Sequence, residues 1–168
     1  MSITTLARRA CLATTAITAS LLLAGCSLLS GLGGAGGPSA ERGEDGAVET
    51  AGNESVFSIK VGDCLQDPGT GSVSDVQVIP CDQEHDMEVY AELELPAGEL
   101  PADLDQQAEA FCVEQFASFV GVPYEESTLD ATWFTPTQQG WESGDRLVNC
   151  LVFDPQGATT GSLSGASR

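Results

Sequence analysis

The sequence is short of positive charge. Six lysines and arginines face 25 aspartates and glutamates among 168 residues, a formal net charge of −19. A surface of this sign repels nucleic acid, anionic lipid headgroups and phosphate-bearing polymers. Nucleic acid is therefore excluded as a partner, while basic proteins and divalent cations remain electrostatically compatible.

The sequence also lacks the motifs of common catalytic sites. It has no Gly-x-Ser-x-Gly motif and no glycine-rich phosphate loop leading into a helix. The only histidine, His85, adjoins Asp86, but neighbours on a strand point to opposite faces and do not form a triad. We expect no enzyme activity and no cofactor.

The N-terminus has the pattern of an export signal. Arg8 and Arg9 precede an apolar run, Ala10–Leu23, and the segment ends in Leu-Ala-Gly-Cys at Cys26. This ending matches a bacterial lipobox, so we predict a signal peptide at 1–25 and lipidation of Cys26 with diacylglycerol and an acyl chain such as palmitate. The apolar run is too short and too rich in Ala and Thr for a spanning helix.

This pattern predicts a protein anchored by its lipid at the extracytoplasmic face of the cell membrane. A cleaved signal without lipidation is the alternative, and both the general and the twin-arginine export routes remain open. Removing the signal leaves four basic residues against 25 acidic ones, a formal charge of −21. The lipid, not the protein surface, is then expected to hold the chain at the membrane.

Four cysteines remain after the signal and the lipidation site, namely Cys64, Cys81, Cys112 and Cys150. An even number of cysteines in an exported domain of this size predicts disulfides. Four cysteines permit three pairings. The short spacing favours Cys64 with Cys81, and a helix-to-strand bridge then joins Cys112 to Cys150.

The chain divides into a linker and a folded domain. Residues 26–55 are rich in Gly, Ser, Ala and Glu and have few apolar side chains to bury, which predicts a flexible linker. The folded domain is predicted at 56–168, with a small, polar C-terminal tail that frays.

Five segments of the domain have strand character: Val56–Leu65, Ser74–Pro80, Asp86–Leu95, Leu129–Thr135 and Arg146–Phe153. In the last segment the residues that point to either face of the strand are apolar apart from Asn149, as in a strand covered on both sides. Between them, apolar residues three and four apart predict a helix over Leu104–Val120, with Asp103 as its N-cap and Gly121 at its end. We predict an α+β fold: an antiparallel sheet of four or five strands, one amphipathic helix packed on it, and two disulfides.

The strand Asp86–Leu95 alternates strictly between polar and apolar residues. One face is then core and the other carries carboxylates. The residues predicted to form an interaction surface are His85, Asp86, Glu88, Tyr90 and Glu92.

Two metal hypotheses concern the same region. Cys64, Cys81 and His85 offer donors that suit zinc, but the oxidising compartment outside the cytoplasm favours disulfides. The acidic run from Asp82 to Asp86 lacks the glycine and the final glutamate of a calcium loop, so only a weak cation site remains open. A carboxylate surface exposed to solvent is the simpler interpretation, and no metal is predicted.

An ordered set of motifs resembles a known family. The motifs are Val61-Gly62-Asp63-Cys64, Pro80-Cys81 with His85-Asp86 and Glu88-Val89, Phe111-Cys112, Pro136-Thr137 with Trp141, Gly144-Asp145-Arg146 with Cys150, and Gly161-Ser162-Leu163 with Gly165. Together they resemble the septum formation-related domain of actinobacterial envelope proteins, and Glu84 stands where that family commonly has proline. The resemblance implies an extracytoplasmic, membrane-tethered module associated with septum formation in cell division.

We therefore expect a non-catalytic interaction module whose partner is an unidentified envelope or division protein. The alternative is an envelope lipoprotein that binds a small ligand or a cation.

Overall fold

The computed structural model describes residues 37–168, and Cys26 with the predicted signal lies outside this range. The described chain contains ten strands, two α-helices and one 3-10 helix. The strands are β1 Glu41–Arg42, β2 Val48–Thr50, β3 Gly52–Ser55, β4 Cys64–Leu65, β5 Asp75–Ile79, β6 Glu84–His85, β7 Met87–Glu94, β8 Asp130–Phe134, β9 Leu147–Phe153 and β10 Thr159–Thr160. The helices are α1 Leu104–Val120, α2 Gln138–Glu142 and the 3-10 turn Tyr124–Glu126.

Six strands form one antiparallel sheet in the order β3-β5-β4-β7-β9-β8. The α+β class is confirmed, but the predicted count of four or five strands is wrong. The additional strand is β3, which pairs with β5 through Gly52 opposite Val78 and Ser55 opposite Asp75. Two small ladders, β1 with β2 and β6 with β10, flank this sheet.

The predicted linker ends earlier than residue 55, because β1, β2 and β3 lie within it. The Arg42 guanidinium donates to both carboxylate oxygens of Asp63 at 2.7 and 2.8 Å, and Asp63 is only 4% exposed. Backbone pairing and this ion pair attach the segment to the domain. A composition argument misses both because neither requires apolar side chains.

The first predicted strand is also shorter than expected. Only Cys64–Leu65 of Val56–Leu65 is extended, and turns precede it. Ile59 is buried, whereas Phe57 and Val61 are 50% and 51% exposed, so these three residues do not share one buried face. Asp63 stabilises the turn by accepting the Lys60 N–H at 2.8 Å.

Helix α1 spans the predicted residues. Its buried side chains recur every four positions, at Leu104, Ala108, Cys112, Phe116 and Val120. It ends where Gly121 adopts a left-handed φ of 96° and donates its N–H to Ala117. The expected N-cap differs: no Asp103 side-chain hydrogen bond caps the helix, and Asp103 Oδ1 instead accepts from the Gln107 side chain.

The sheet has a core on each face. The helix-side core contains α1, Tyr90, Trp141 and Val152 among others. The opposite core contains Ile59, Leu65, Val76, Val78, Val89 and Leu151. Strand β9 contributes to both, which confirms that it is covered on two sides. Neither α1 nor any other helix in residues 37–168 has the length and apolar composition to cross a membrane.

The C-terminal tail is ordered, contrary to the prediction that it frays. We call residues 155–168 the C-terminal strap. Within it, β10 pairs with β6, and Leu163 is 4% exposed in the helix-side core. The Gly165 N–H donates to the carbonyl of Phe119, and Ser167 to that of Val120, both at 2.8 Å. One apolar anchor and several backbone hydrogen bonds hold a segment that looks unstructured by composition.

Candidate functional site

Both disulfides predicted from the spacing are confirmed. Cys64 and Cys81 are bonded with their Cα atoms 5.3 Å apart, which closes the β4–β5 hairpin. Cys112 and Cys150 are bonded with a Cα separation of 5.5 Å. The second bridge joins the buried face of α1 to β9 and therefore links the helix layer to the sheet.

Two of the predicted interaction residues form a buried polar cluster under the strap. His85 is 0% exposed and Glu88 is 2% exposed. The Glu88 carboxylate accepts the Ser162 hydroxyl at 2.7 Å and the Leu163 N–H at 2.6 Å. These contacts give the Gly-Ser-Leu motif a structural role: it supplies the donors for a buried carboxylate.

His85 is enclosed by backbone and hydroxyl partners. Its Nδ1 lies 2.8 Å from the Gln83 carbonyl, and since a carbonyl oxygen only accepts, Nδ1 carries the proton. Nε2 lies 3.4 Å from the Thr159 hydroxyl. The imidazole is thus held between β6 and β10 by partners at both ring nitrogens.

The same cluster contains donor atoms of the kind that bind metals. One donor atom each of Cys64, His85 and Glu88 lies within 4.8 Å of the others. The Cys64 sulfur is bonded to Cys81, so the thiolate that zinc prefers does not form while this disulfide is intact. Because Glu88 and His85 also have hydrogen-bond partners, the cluster is organised as a structural junction.

A β-bulge explains why the predicted carboxylate face does not exist. The register between β7 and β9 shifts at Tyr90, since Val89 lies opposite Leu151 and Ala91 opposite Cys150. An extra residue reverses which parity faces each side of a sheet. Glu88 and Tyr90 therefore face α1, whereas Glu92 faces the other way.

Tyr90 belongs to the core. It is 5% exposed, its hydroxyl donates to the Cys112 carbonyl at 2.7 Å, and burial raises its pKa. Its ring contacts Phe116 edge-on at a centroid distance of 5.9 Å. The buried hydroxyl joins β7 to α1 beside the disulfide.

Asp86 and Glu92 remain at the surface but point to different regions. Asp86 accepts the Asp67 N–H at 2.9 Å. Partial burial raises the pKa of Glu92, and the negative charge of Asp63 raises it further. The five residues predicted as an interaction surface therefore do not form one exposed patch.

A groove occupies the sheet face opposite α1, and sequence reasoning missed it. A cavity of about 220 Å³ lies at its floor and adjoins a depression of about 530 Å³ that shares several lining residues. We call this the Asn149 groove. Its lining includes Val56, Phe57, Val73, Phe134, Thr135, Thr137, Asp145, Leu147 and Asn149.

Asn149 is the unusual residue of this groove. It is 2% exposed, and its Oδ1 is the only buried side-chain polar atom of residues 37–168 without a hydrogen-bond partner. Its cross-strand neighbours are Glu92 on β7 and Phe134 on β8. The sequence held one signal, because Asn149 interrupts an otherwise apolar strand.

At the groove border, the side chains of the neighbours Asp145 and Arg146 have different partners. Asp145 Oδ1 accepts the Leu147 N–H at 3.0 Å. The Arg146 guanidinium lies 3.7 Å from the Trp141 ring centroid and donates to the Trp141 carbonyl at 2.7 Å. The arginine stacks on an aromatic ring, which is a favourable cation–π geometry.

These features define a small, acidic, disulfide-bonded α+β domain with an open groove on one sheet face. A sequence profile described as Septum formation matches residues 28–150, more than half of the chain. The chain therefore belongs to the Septum formation family, which confirms the resemblance and associates it with the septum and the cell envelope. No curated protein and no solved structure matches the chain.

Proposed function

We propose that this protein is a lipid-anchored, extracytoplasmic interaction module that takes part in septum formation without catalysing a reaction. The observation that carries the interaction role is the Asn149 groove, which is bordered by exposed Phe57 and contains a buried amide oxygen without a partner. Family membership supports the association with septum formation.

The anchoring proposal is supported by the sequence. An apolar signal with Arg8 and Arg9 before it leads to Leu-Ala-Gly-Cys at Cys26. A diacylglycerol and an additional acyl chain together give stable attachment, whereas one chain gives only marginal binding. The net charge of −21 after signal removal leaves membrane attachment to the lipid.

The non-catalytic proposal is supported by where the reactive side chains lie. His85 is enclosed between Gln83 and Thr159, and Glu88 binds the strap. The four cysteines of residues 37–168 are engaged in disulfides. These groups hold the domain together and do not face the groove.

The direct test uses the full chain fused to a fluorescent protein at its C-terminus in an actinobacterial host. We expect enrichment at division septa and altered septum placement or spacing on deletion. A Cys26→Ser variant should leave the membrane fraction while the domain stays folded. Uniform membrane labelling together with unaltered division in the deletion strain would contradict the proposal.

A small-ligand function is the second candidate, because the 220 Å³ cavity beside Asn149 suits a small polar molecule. A rise in melting temperature with soluble glycan fragments or calcium, and no association with septa, would favour it.

A further inference from the structure

We propose that the Asn149 groove binds an extended peptide segment that carries a basic side chain. This inference rests on the proposed function, since it specifies the kind of partner that an envelope interaction module would recognise. It assigns a ligand class to a site that neither the family nor the sequence motifs identify.

The buried amide is the first argument. A buried acceptor without a partner is unfavourable by about 1–3 kcal/mol, so such groups are rare in folded domains. Asn149 Oδ1 is one, and its side chain borders the cavity. A peptide group offers an N–H donor and a C=O acceptor, which match the acceptor and donors of an asparagine amide.

The shape of the groove is the second argument. Its wall continues from the end of β8, an edge strand of the six-stranded sheet, through Thr135 to Thr137. On the other side it is bordered by Val56, Phe57 and Val73. An open groove beside a sheet edge suits an extended chain, which places alternate side chains toward the floor and toward solvent.

The third argument is charge. Asp145 lines the groove, and Glu94 lines an adjoining depression that shares Asp145 with it. Arg146 lines that depression too, but its guanidinium is stacked on Trp141 and donates to the Trp141 and Asp145 carbonyls. Residues 37–168 contain four basic and 25 acidic side chains. A basic peptide is therefore attracted to this domain and an acidic one is repelled.

The exposed ring of Phe57 supports the same ligand. Phe57 is 50% exposed and lines the larger part of the groove. Aromatic side chains are common anchors in interfaces because they bury much area with few rotatable bonds. An apolar side chain next to the basic residue of the peptide would cover this ring.

The probe is an immobilised library of short peptides with a fixed central lysine and mixed flanking positions, matched to a library with a central glutamate. Binding of the isotope-labelled full chain, held in detergent with its disulfides intact, is measured by biolayer interferometry and by amide chemical shifts. We expect the lysine library to bind, and the Asn149 side-chain amide resonances to shift.

Three variants test the contacts. Asn149→Leu should weaken binding of the lysine library at least about tenfold, which corresponds to loss of about one hydrogen bond to a buried group. Asp145→Asn should reduce the preference for the lysine library over the glutamate library. The control is Asp82→Asn, which removes an exposed carboxylate outside the groove and should leave this preference unchanged. Phe57→Ser should weaken binding, whereas Val61→Ser, equally exposed at 51%, should not.

Several outcomes would overturn the inference. They are equal binding of both libraries, unchanged affinity of a folded Asn149→Leu protein, shifts confined to residues outside the groove, and binding of glycan strands in place of peptides. If peptides fail to bind but the fusion protein still collects at septa, only the inference is wrong. If peptides bind and the fusion protein is uniform in the membrane, the groove assignment holds and the septal role fails.

Discussion

The Glu88 carboxylate accepts the backbone N–H of Leu163 at 2.6 Å across a sequence separation of 75 residues. This contact fixes the strap beside β7. Glu88 is 2% exposed, and its carboxylate accepts a second hydrogen bond from the Ser162 hydroxyl of the strap. The strap also pairs with the strand that contains His85, and its Gly161 N–H donates to the carbonyl of Cys81.

The first prediction concerns this contact. Glu88→Gln places an amide NH₂ where the carboxylate accepts two donors, so the free energy of unfolding should fall by about 1–3 kcal/mol. Chemical denaturation measures the loss. Hydrogen exchange should accelerate at Leu163 and Gly165 first. Glu94→Gln, an exposed position on the same strand, is the control and should change stability little.

A second prediction concerns the disulfides. Replacing Cys112 and Cys150 by alanine should lower the free energy of unfolding by about 4 kcal/mol. Replacing Cys64 and Cys81 by alanine should lower it by about 3 kcal/mol. The first loss is larger because Cys112 and Cys150 are 38 residues apart and close a longer loop than Cys64 and Cys81, which are 17 apart. Denaturant unfolding of both double variants tests the order. The native protein should show no free thiol among these four until reductant is added. Equal losses, or thiols titrating without reductant, would argue against this arrangement.

The third prediction concerns the N-terminal attachment. Arg42 and Asp63 form an ion pair with two hydrogen bonds. The hydrogen bonding to Asp63, together with the negative charge of Asp63, raises the pKa of Arg42. Arg42→Gln should lower stability by about 2 kcal/mol because it leaves a buried carboxylate partly unpaired. Arg42→Lys should not restore it, since lysine lacks the planar fork. Limited proteolysis should then cut before β3; unchanged protection would contradict the assignment.

A fourth prediction separates stability from binding. Asn149→Leu removes a buried amide whose oxygen has no partner, so the free protein should become about 1 kcal/mol more stable. The same variant should lose peptide binding. A residue that costs stability and supports binding is typical of functional sites. Destabilisation by this substitution would indicate that the amide has a structural partner.

The fifth prediction concerns pH. Partial burial and then Asp63 raise the pKa of Glu92, so the folded state holds this proton more tightly than the unfolded chain. The stabilisation is present below the ordinary glutamate pKa of about 4.3 and is lost as pH rises through the raised value. Glu92→Gln should therefore be more stable than the native protein at pH 7, with a difference that shrinks toward pH 4. Carboxyl NMR titration and urea unfolding at both pH values test this, and a pH-independent difference would contradict it.

Some features followed from local pattern alone. Helix α1 spans the predicted Leu104–Val120 because its apolar spacing and Gly121 act within a few residues. Strands β5, β8 and β9 also lie within their predicted segments. The short spacing of Cys64 and Cys81 favoured the pairing that the structure shows, with Cys112 bonded to Cys150.

Other features depend on contacts between distant residues. The strand β3 and the strap have few apolar residues, and backbone ladders hold both of them. The segment before β3 is also attached through Arg42, whose partner Asp63 lies 21 positions away. The strap is attached through Glu88, whose partners lie 74 and 75 positions away. The bulge at Tyr90 is set by how β7 meets β9, so the alternation from Asp86 to Leu95 predicted a strand but the wrong faces.

The sequence by itself determined the acidic character, the two disulfides, the main helix and the family of this protein, because charge, spacing and periodicity are local properties of the chain. Only the tertiary structure decided which carboxylates are buried and where a groove opens on the sheet. Burial of Glu88 and exposure of the Asn149 groove depend on which distant segments cover each sheet face, and that choice is made by packing.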